Sequence, residues 1–415
     1  MFHTPPALKH RRYRLMWIGL LISVIGSQMQ IAAIHWQIRE LTGVPNPLAL
    51  GGIGLARFLP VVVFSLVGGA VADTWNRRWI IFIAESIMAI VAVILAYLTF
   101  KGTITIWLIY LLTAIQASAL AFDLPARQAM IPNIVSREDL PNAFSMTSIA
   151  ANTAAIVGPA LGGIVIATLG QGYTYLINAL SFLALLAALL MIGPVPQDPT
   201  KASGVSLSAM ADGMRFILSK PMILSTMVMD FFATFFASAN TMMPIVARDI
   251  LHVGEIGYGW LVSAESIGSL TAGLVISQIH IIRKQGPVFL WSVVIFGGAT
   301  ILFGLSNTFL MAIIMLMVIG AADTVSTIIR NTIRQLQTPD HFRGRMTSIN
   351  QIFFQGGPQL GEVEAGIVAQ LFGVPFAIIS GGVGTILAVW FILRKWPLLR
   401  TYDGSEPQIT VVPAD

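Results

Sequence analysis

The chain has no cysteine, and only 10% of its 415 residues are charged. Without cysteine there is neither a disulfide framework nor a thiolate metal site. Soluble globular proteins carry about 25% charged residues, so a hydrophobic content of 56% indicates that a lipid bilayer surrounds much of the protein. The sequence also contains no GxxxxGK(S/T) loop and no HExxH cluster. We therefore expect no enzyme activity, no metal and no cofactor.

Twelve apolar runs reach the length of roughly 20 residues that a membrane helix needs. The first run is too long for the core of a signal peptide, which spans about 7–15 residues. The first six cover about 15–40, 48–72, 79–100, 104–124, 142–168 and 173–193. The second six cover about 222–247, 257–281, 287–305, 308–329, 347–372 and 376–393. The runs lack the period-two alternation of barrel strands, so the sequence predicts an all-α integral membrane protein.

Positive charge alternates between the gaps that separate these spans. Four of the 24 lysines and arginines lie outside the N-terminal tail, the even-numbered loops and the C-terminal tail. These four are Arg39, Lys101, Arg248 and, inside a span, Arg57. Basic loops favour the cytoplasm. We therefore expect both termini in the cytoplasm and the protein in a bacterial inner membrane, with the basic residues facing lipid headgroups rather than nucleic acid.

The longest internal gap divides the chain into two halves. It opens on GPVPQDPTKASG, which ends a helix, and continues with an amphipathic stretch that predicts a helix on the membrane surface. A disordered linker is the alternative. The predicted organisation is a six-helix bundle over 1–193, a linker over 194–221, a second bundle over 222–396 and a cytoplasmic tail over 397–415.

The two halves resemble each other in sequence. Asp123 recurs as Asp323, and the four residues from Met146 recur as the four from Met346, each 200 positions on. Gly158-Pro159 recurs as Gly357-Pro358. Duplicated bundles of this kind place a substrate site between the halves, near the middle of the membrane.

The loop after the second span, GGAVADTWNRRW, resembles motif A of the major facilitator superfamily. Gly69, Asp73, Arg77 and Arg78 match the motif, whereas Thr74 and Asn76 depart from it. A glycine here permits close helix approach, and Asp73 at a helix end suits an ion pair or a helix N-terminus. We expect Arg77 to reach Asp123, and these residues with Asp323 to form a conformational gate. A plain basic turn is the alternative.

The fifth span contains a second motif, GPALGG. It resembles motif C, which the superfamily's exporters and antiporters carry, through Gly158, Pro159, Gly162 and Gly163. The resemblance implies export, whereas the small residues by themselves imply only tight packing. Gln116 stands about where many antiporters have an arginine, which weakens the case for a standard proton relay.

Longer stretches, including FDLPARQAMIPNIVSREDLPNAFSM and GPQLGEVEAGIVAQLFG, look like the enterobactin-exporter-like branch of the superfamily. The resemblance covers nearly the whole chain. It implies twelve helices in two pseudo-symmetric bundles and a monomer, and it indicates no particular cargo.

Ionisable residues inside spans are costly, so each is a functional candidate. Arg57 lies at the same depth as Glu362 and Glu364 on a span that faces it in this superfamily. We predict a buried ion pair that closes the outer gate; a static pair is the alternative. Asp230 and Glu265 have no evident basic partner, which makes them candidates for proton coupling or for binding a cationic cargo. A hydrated cavity wall is the alternative.

The spans that line the cavity in this superfamily also carry polar and aromatic residues. We take Gln28, His35, Trp36, Phe235 and Asn240 as candidates for contact with substrate. A mostly apolar cavity with few polar anchors suits a bulky amphipathic cargo, although phenylalanine also faces lipid. The sequence thus predicts a secondary exporter of siderophore-like or drug-like molecules that works by alternating access, with a proton gradient as its energy source. A lipid or lysophospholipid flippase and a non-transporting receptor or scaffold are the alternatives.

Overall fold

A computed structural model of the protein describes residues 5–196, 207–279 and 282–404. Twelve long helices dominate it, here labelled α1 to α12. The first six are α1 Arg11–Leu41, α2 Pro47–Thr74, α3 Arg77–Phe100, α4 Ile106–Met130, α5 Leu140–Leu169 and α6 Gln171–Ile192. The second six are α7 Pro221–Phe236, α8 Gly254–Ser277, α9 Gln285–Gly304, α10 Phe309–Gln337, α11 Asp340–Phe372 and α12 Val374–Lys395. Within the described ranges, eleven spans are long and apolar enough to cross a membrane; the remaining long helix, α11, has 33 residues and a polar first half.

Local sequence sets the helix ends in the same way in both halves. Thr105 and Thr308 cap α4 and α10 by accepting a hydrogen bond from a main-chain N–H three residues on, as cap residues do. Gly170 and Gly373, with φ of 90° and 91°, join α5 to α6 and α11 to α12. Only glycine adopts this conformation without strain. Equivalent caps and turns support the repeat that the sequence predicts.

The most extensive contacts between the halves are those of α2 with α11 and of α5 with α8. We call the side of the molecule that carries both chain ends the termini side and the opposite side the far side. Towards the far side, one continuous apolar cluster draws on both halves, from Trp36 and Leu50 to Tyr258 and Ala365. Towards the termini side, the clusters around Met130 and around Ile329 stay separate, one in each half. Among the described residues, the halves therefore pack together on the far side and keep separate apolar clusters on the termini side.

The seventh span departs most from expectation. The sequence predicts one continuous helix over about 222–247, but α7 ends at Phe236 and a 3₁₀ turn follows over Ala239–Met242. A short helical segment and a π-turn, Val246–Ile250, then reach the far side. We call residues 237–242 the α7 break. Interrupted helices leave main-chain polar groups without helical partners in mid-membrane, which proteins tolerate where the chain lines a cavity.

Two other predicted spans end too early. α4 and α10 continue to Met130 and Gln337, beyond the predicted ends at about 124 and 329, so Arg127, Arg330 and Arg334 lie inside helices. In the linker, a helix spans Leu207–Ser219. Its Ile217 packs with Met346 and Ile349 of α11, and Phe216 stacks on Phe342 with ring centroids 4.6 Å apart. The start of the linker, residues 197–206, and the end of the tail, residues 405–415, lie outside the described ranges.

Candidate functional site

The close approach of α2 and α4 near motif A depends on a different glycine from the one that the sequence predicts. A Cβ atom on Gly69 would meet nothing within 4 Å, whereas one on Gly68 would lie 2.3 Å from the carbonyl oxygen of Ala121. The expectation that Gly69 allows the close approach of α2 and α4 is wrong, and its neighbour Gly68 has that function. The side chain of Asp73 lies outside the described part of the structure.

The motif A arginines bind main-chain oxygens at helix ends. Arg77 donates to the carbonyl oxygens of Ala72 and Ala129 and to Oδ1 of Asn133, at 3.0–3.1 Å. Arg78 donates to the carbonyl oxygen of Leu189 at 2.7 Å. The expected pairing of Arg77 with Asp123 is wrong, because Asp123 forms its ion pair with Arg127, one helical turn along α4. The gating function of the loop stays a prediction.

The motif C glycines serve two interfaces at once. A Cβ atom on Gly158 would lie 2.4 Å from Cβ of Gln28, and one on Gly162 would lie 3.3 Å from Cα of Met29, so both pack α5 against α1. Gly163 faces the other half, where a Cβ atom would lie 2.5 Å from the carbonyl oxygen of Glu255 on α8. Gly158 and Pro159 are buried in the middle of α5. The motif C glycines therefore allow tight helix packing, both within the N-terminal half and between the halves.

The repeat places a carboxylate where motif C has a glycine. Gly357 and Gly361 pack α11 against α7 as Gly158 and Gly162 pack α5 against α1. The residue after Gly361 is Glu362, in the position of Gly163. It lies in the α2–α11 interface, where a Cβ atom on Gly54 would be 3.1 Å from its Oε2 atom. That oxygen is buried and has no hydrogen-bond partner among the described residues.

Four polar residues from both halves lie within electrostatic reach in this part of the interface, without direct ion pairs among the described residues. Arg57 on α2 lies close enough to interact electrostatically with His35 on α1, with Tyr258 on α8 and with Glu362. Nε2 of His35 is buried without a partner in the described structure. The predicted direct ion pair of Arg57 with Glu362 or Glu364 is absent, since no carboxylate of the described residues approaches Arg57 within 4.0 Å. Glu364 is half-buried, and a latch between these helices stays a prediction.

The ion pair that does join the halves on the far side lies elsewhere. Arg39 at the end of α1 donates two hydrogen bonds to Asp249 in the π-turn after the α7 break, at 2.7 and 2.5 Å. Arg39 is 4% exposed and Asp249 is 25% exposed. Beneath this pair, Trp36 packs on Tyr258 with centroids 5.3 Å apart, and the Tyr258 hydroxyl donates to the carbonyl oxygen of Ala32. Trp36, a candidate for substrate contact, is therefore part of the far-side closure in this conformation.

A buried charge cluster lies in the termini-side part of each half. In the N-terminal half, Arg127 of α4 pairs with Asp123 and lies 3.5 Å from Glu85 of α3. In the C-terminal half, Arg330 of α10 lies 2.9 Å from Asp230 of α7 and 3.6 Å from Asp323. The pseudo-equivalent Asp123 and Asp323 thus each meet an arginine further along the same helix.

Asp230 is consequently not the unpaired carboxylate that the sequence suggests. Arg330 is its main partner, and Arg334 lies 3.9 Å away. Both arginines are almost fully buried. The prediction is wrong because these partners lie 100 and 104 residues away in sequence, on α10, which continues beyond the predicted end at about 329. Because Asp230 is paired, a proposal of proton coupling at this residue cannot be based on an unpaired carboxylate.

Glu265, in contrast, faces the α7 break without a cationic partner. Its Oε2 atom accepts a hydrogen bond of 3.1 Å from the Asn240 amide, and the other charged group within electrostatic reach is the like-charged Asp323. No described cation lies within 4.0 Å of it. Two predicted candidates, Glu265 and Asn240, are thus brought together by tertiary structure.

Aromatic side chains of α7 and α11 lie on the termini side of the α7 break. Phe231 stacks with Phe235 at 5.9 Å and meets Phe353 of α11 edge-on at 6.1 Å. Phe235 is half-buried, and its carbonyl oxygen would lie 2.1 Å from a Cβ atom on Gly361. Of the predicted α1 candidates, Gln28 is half-buried against the Gly158 turn. Its neighbour Gln30 is fixed between Gln116 and Asn178 by hydrogen bonds of 2.7 Å.

The predictions from sequence did not include Arg127, Arg330, Arg334 or Asp249. The spacing of four residues between Asp123 and Arg127 is a signal that could have been used, since residues at this spacing meet on one helix face. Arg330 carries a weaker local signal, since it lies seven residues after Asp323 on α10. Arg334 and Asp249 carry none, because their charged partners, Asp230 and Arg39, lie on distant helices.

Comparison with known proteins agrees with this architecture. The family model described as "transmembrane secretion effector" matches residues 4–408. The chain is 24% identical over 407 residues to the enterobactin exporter EntS of Escherichia coli O1:K1 / APEC, covering 97% of this chain and 95% of that protein. EntS of Shigella boydii serotype 18 is 23% identical over the same shares of the two chains.

Solved structures share the fold at low sequence identity. A bacterial homologue of the human lysosomal transporter Spinster, in an inward-facing and unoccupied conformation, superposes with a TM-score of 0.69 at 15% identity, covering 96% of this chain and 97% of that one. A POT family transporter in complex with 5-aminolevulinic acid gives 0.74 at 12% identity, with 94% and 96% covered. With the two bundles, the far-side closure and the motif A and motif C residues in place, the chain belongs to the transmembrane secretion effector family of major facilitator transporters.

Proposed function

We propose that this transporter exports small amphipathic molecules, siderophore-like or drug-like, by alternating access and in exchange for protons. The observation that carries the proposal is the shape of the molecule, in which the halves meet on the far side and separate on the termini side. Positive charge favours the cytoplasm for the termini side. Cargo would then enter from the cytoplasm and leave once the far side opens.

The wall of the opening has the chemistry that such a cargo needs. Phe231, Phe235 and Phe353 offer an aromatic surface beside the α7 break, and Asn240 and Glu265 supply a polar anchor. Apolar walls with few polar groups fix the orientation of bulky ligands. The relatives described as enterobactin exporters support a cargo of similar size.

Glu265 is the residue we assign to proton coupling. A carboxylate that leaves water without a cationic partner binds a proton more readily, and Glu265 has an amide in place of a cation as its partner. Exchange requires one group that takes a proton from one side and releases it to the other. Gln116 at the usual antiporter arginine position supports a coupling site outside α4.

The direct test uses everted membrane vesicles with an imposed proton gradient and a pH-sensitive dye. Catecholate siderophores, macrolides and lipophilic cations are added one at a time. We expect one class to dissipate the gradient in the wild type and in D212N, a control that neutralises an exposed carboxylate of the linker helix. E265Q should lose at least tenfold of this response. Equal responses of E265Q and wild type would exclude Glu265 as the coupling group.

An apolar groove favours lipid transport as a second candidate. The groove, about 620 Å³ in volume, lies on the outer surface of the C-terminal half between α7 and α12, with Phe232, Phe236 and Phe376 in its walls. A lipid acyl chain could reach the α7 break along such a path. Faster movement of labelled lysolipid across proteoliposomes, with no proton movement for any soluble cargo, would favour this function over export.

A further inference from the structure

The α7 break borders a small cavity inside the C-terminal half. The cavity measures about 20 Å³ and is lined by Ala237, Asn240, Glu265 and Thr300, together with apolar side chains from α9, α10 and α12. A space of this size holds one water-sized particle. Asn240 is exposed, and the 3₁₀ turn that carries it contacts α2 and α11, so the cavity adjoins the space between the halves.

The break is built into the packing of the C-terminal half. The carbonyl oxygens of Phe235 and Phe236 lie against glycines, because a Cβ atom on Gly361 or Gly381 would come within 2.1 or 2.0 Å of them. Ser238 donates its hydroxyl hydrogen to the carbonyl oxygen of Thr234. The last carbonyl oxygens of any helix lack partners within that helix, so the end of α7 leaves acceptors without helical partners where the break begins.

Charge around the cavity is unbalanced. Glu265 contributes a carboxylate, its hydrogen-bond partner is the neutral Asn240 amide, and the charged group in electrostatic reach is Asp323. The arginine nearest to Asp323 in the described structure, Arg330, is itself shared with Asp230. An ionised carboxylate away from water needs a counter-charge to be stable. A small cation in the cavity would supply it.

The available donors are all oxygens. One Glu265 oxygen remains after the other accepts from Asn240, and the Asn240 amide oxygen remains after its nitrogen donates. Thr300 donates its hydroxyl hydrogen to the carbonyl oxygen of Phe296 at 2.8 Å, which leaves the lone pairs of its own oxygen free. Hard cations prefer oxygen ligands, and unwound helices in transporters coordinate sodium through such groups. A single carboxylate suits one positive charge.

We propose that the cavity beside the α7 break binds Na⁺, held by the Glu265 carboxylate, the Thr300 hydroxyl and oxygens of the break. The cavity, the unbalanced charge and the oxygen donors define the site. None of them depends on which cargo the protein transports. Na⁺ and a proton compete for the same carboxylate. The ion that occupies it therefore determines whether this site responds to the sodium gradient or to the proton gradient.

The test measures thermal unfolding of the purified full-length protein in nanodiscs, followed by the fluorescence of its nine tryptophans. Samples contain NaCl, KCl or choline chloride at equal ionic strength. A ligand that binds the folded state raises the unfolding midpoint, and we expect Na⁺ to raise it by about 3 °C or more over choline. Equal midpoints in all three salts overturn the sodium site.

Variants locate the effect. E265Q removes the charge and T300V removes one oxygen donor at nearly constant volume, so each should raise the half-saturating Na⁺ concentration at least tenfold. D212N, at an exposed position of the linker helix, should leave it unchanged. If E265Q does not fold, T300V still decides, and a sodium effect that survives in T300V at wild-type concentration overturns the assignment. No cargo or proton gradient is present. A negative result therefore removes the sodium site and leaves the export proposal standing.

Discussion

Nη2 of Arg39 lies 2.5 Å from Oδ1 of Asp249, and this ion pair ties the end of α1 to the π-turn that follows the α7 break. It crosses between the two halves on the side where they are closed. The same π-turn follows the chain segment that carries Asn240. Far-side closure and the geometry of the break are therefore mechanically connected through a few residues.

Breaking the Arg39–Asp249 pair should shift the protein towards the far-side-open conformation. D249N leaves Arg39, which is 4% exposed, without its counter-charge in the closed state, whereas opening would let water reach it. Removing one partner of a buried pair costs about 3–5 kcal/mol. Because Asp249 is partly exposed we expect roughly 1.4–3 kcal/mol, or about tenfold or more in the ratio of the two states.

Because the chain has no cysteine, spin labels at T103C and N307C report the far-side distance without interference from native thiols. Both positions are exposed, in the α3–α4 and α9–α10 loops. Pulsed electron resonance should show a longer distance population in D249N. The control is D212N, which removes an exposed pair 3.9 Å apart in the linker helix; a D212N-like result for D249N would rule out a closing function for Arg39.

Arg57 and Glu362 should act on the same equilibrium in opposite directions. Glu362 is buried in the α2–α11 interface with Oε2 unpartnered, and Arg57 is the cation in its electrostatic reach. R57Q leaves the carboxylate without that support and should favour far-side opening. E362Q removes a charge that is costly to bury and should favour closure.

The spin-labelled pair at positions 103 and 307 measures both variants, with D212N in the linker helix as the control. We expect changes of about threefold to tenfold in the population ratio, equivalent to roughly 0.7–1.4 kcal/mol. An unchanged distance distribution in R57Q would exclude a latch between α2 and α11.

Arg330 should be essential for the stability of the C-terminal half. R330Q leaves Asp230, which is 1% exposed, with Arg334 alone at 3.9 Å. Loss of a buried partner costs about 3–5 kcal/mol, so the unfolding midpoint should fall by roughly 5 °C or more. The double variant D230N/R330Q removes both charges and should recover part of the loss.

Scanning fluorimetry in detergent checks this prediction, with R215Q as the control. Arg215 is 84% exposed and lies 3.9 Å from its partner Asp212. A midpoint for R330Q that matches R215Q would mean that the buried pair does not contribute to stability. A double variant as unstable as R330Q would assign the loss to packing of the arginine rather than to uncompensated charge.

The sequence by itself determined the number of long helices, their approximate positions and the two-half repeat. These features depend on apolar run length, on the distribution of lysine and arginine and on local cap and turn residues, all of which are properties of short segments. Gly158-Pro159 and Gly357-Pro358 were recognised as equivalent for the same reason, and in the structure they pack equivalent helices together. The family resemblance rested on such local motifs as well.

The tertiary structure alone decided the partners of buried groups. Asp230 pairs with Arg330, 100 residues away in sequence, and Arg39 pairs with Asp249 in the opposite half. Gly68 rather than Gly69 packs against α4. Each outcome depends on the rotation and depth of one helix against another, which a shift of one residue changes completely. The α7 break is likewise not evident in an apolar run, because the glycines that accommodate the carbonyl oxygens just before it, of Phe235 and Phe236, lie on α11 and α12, far along the chain.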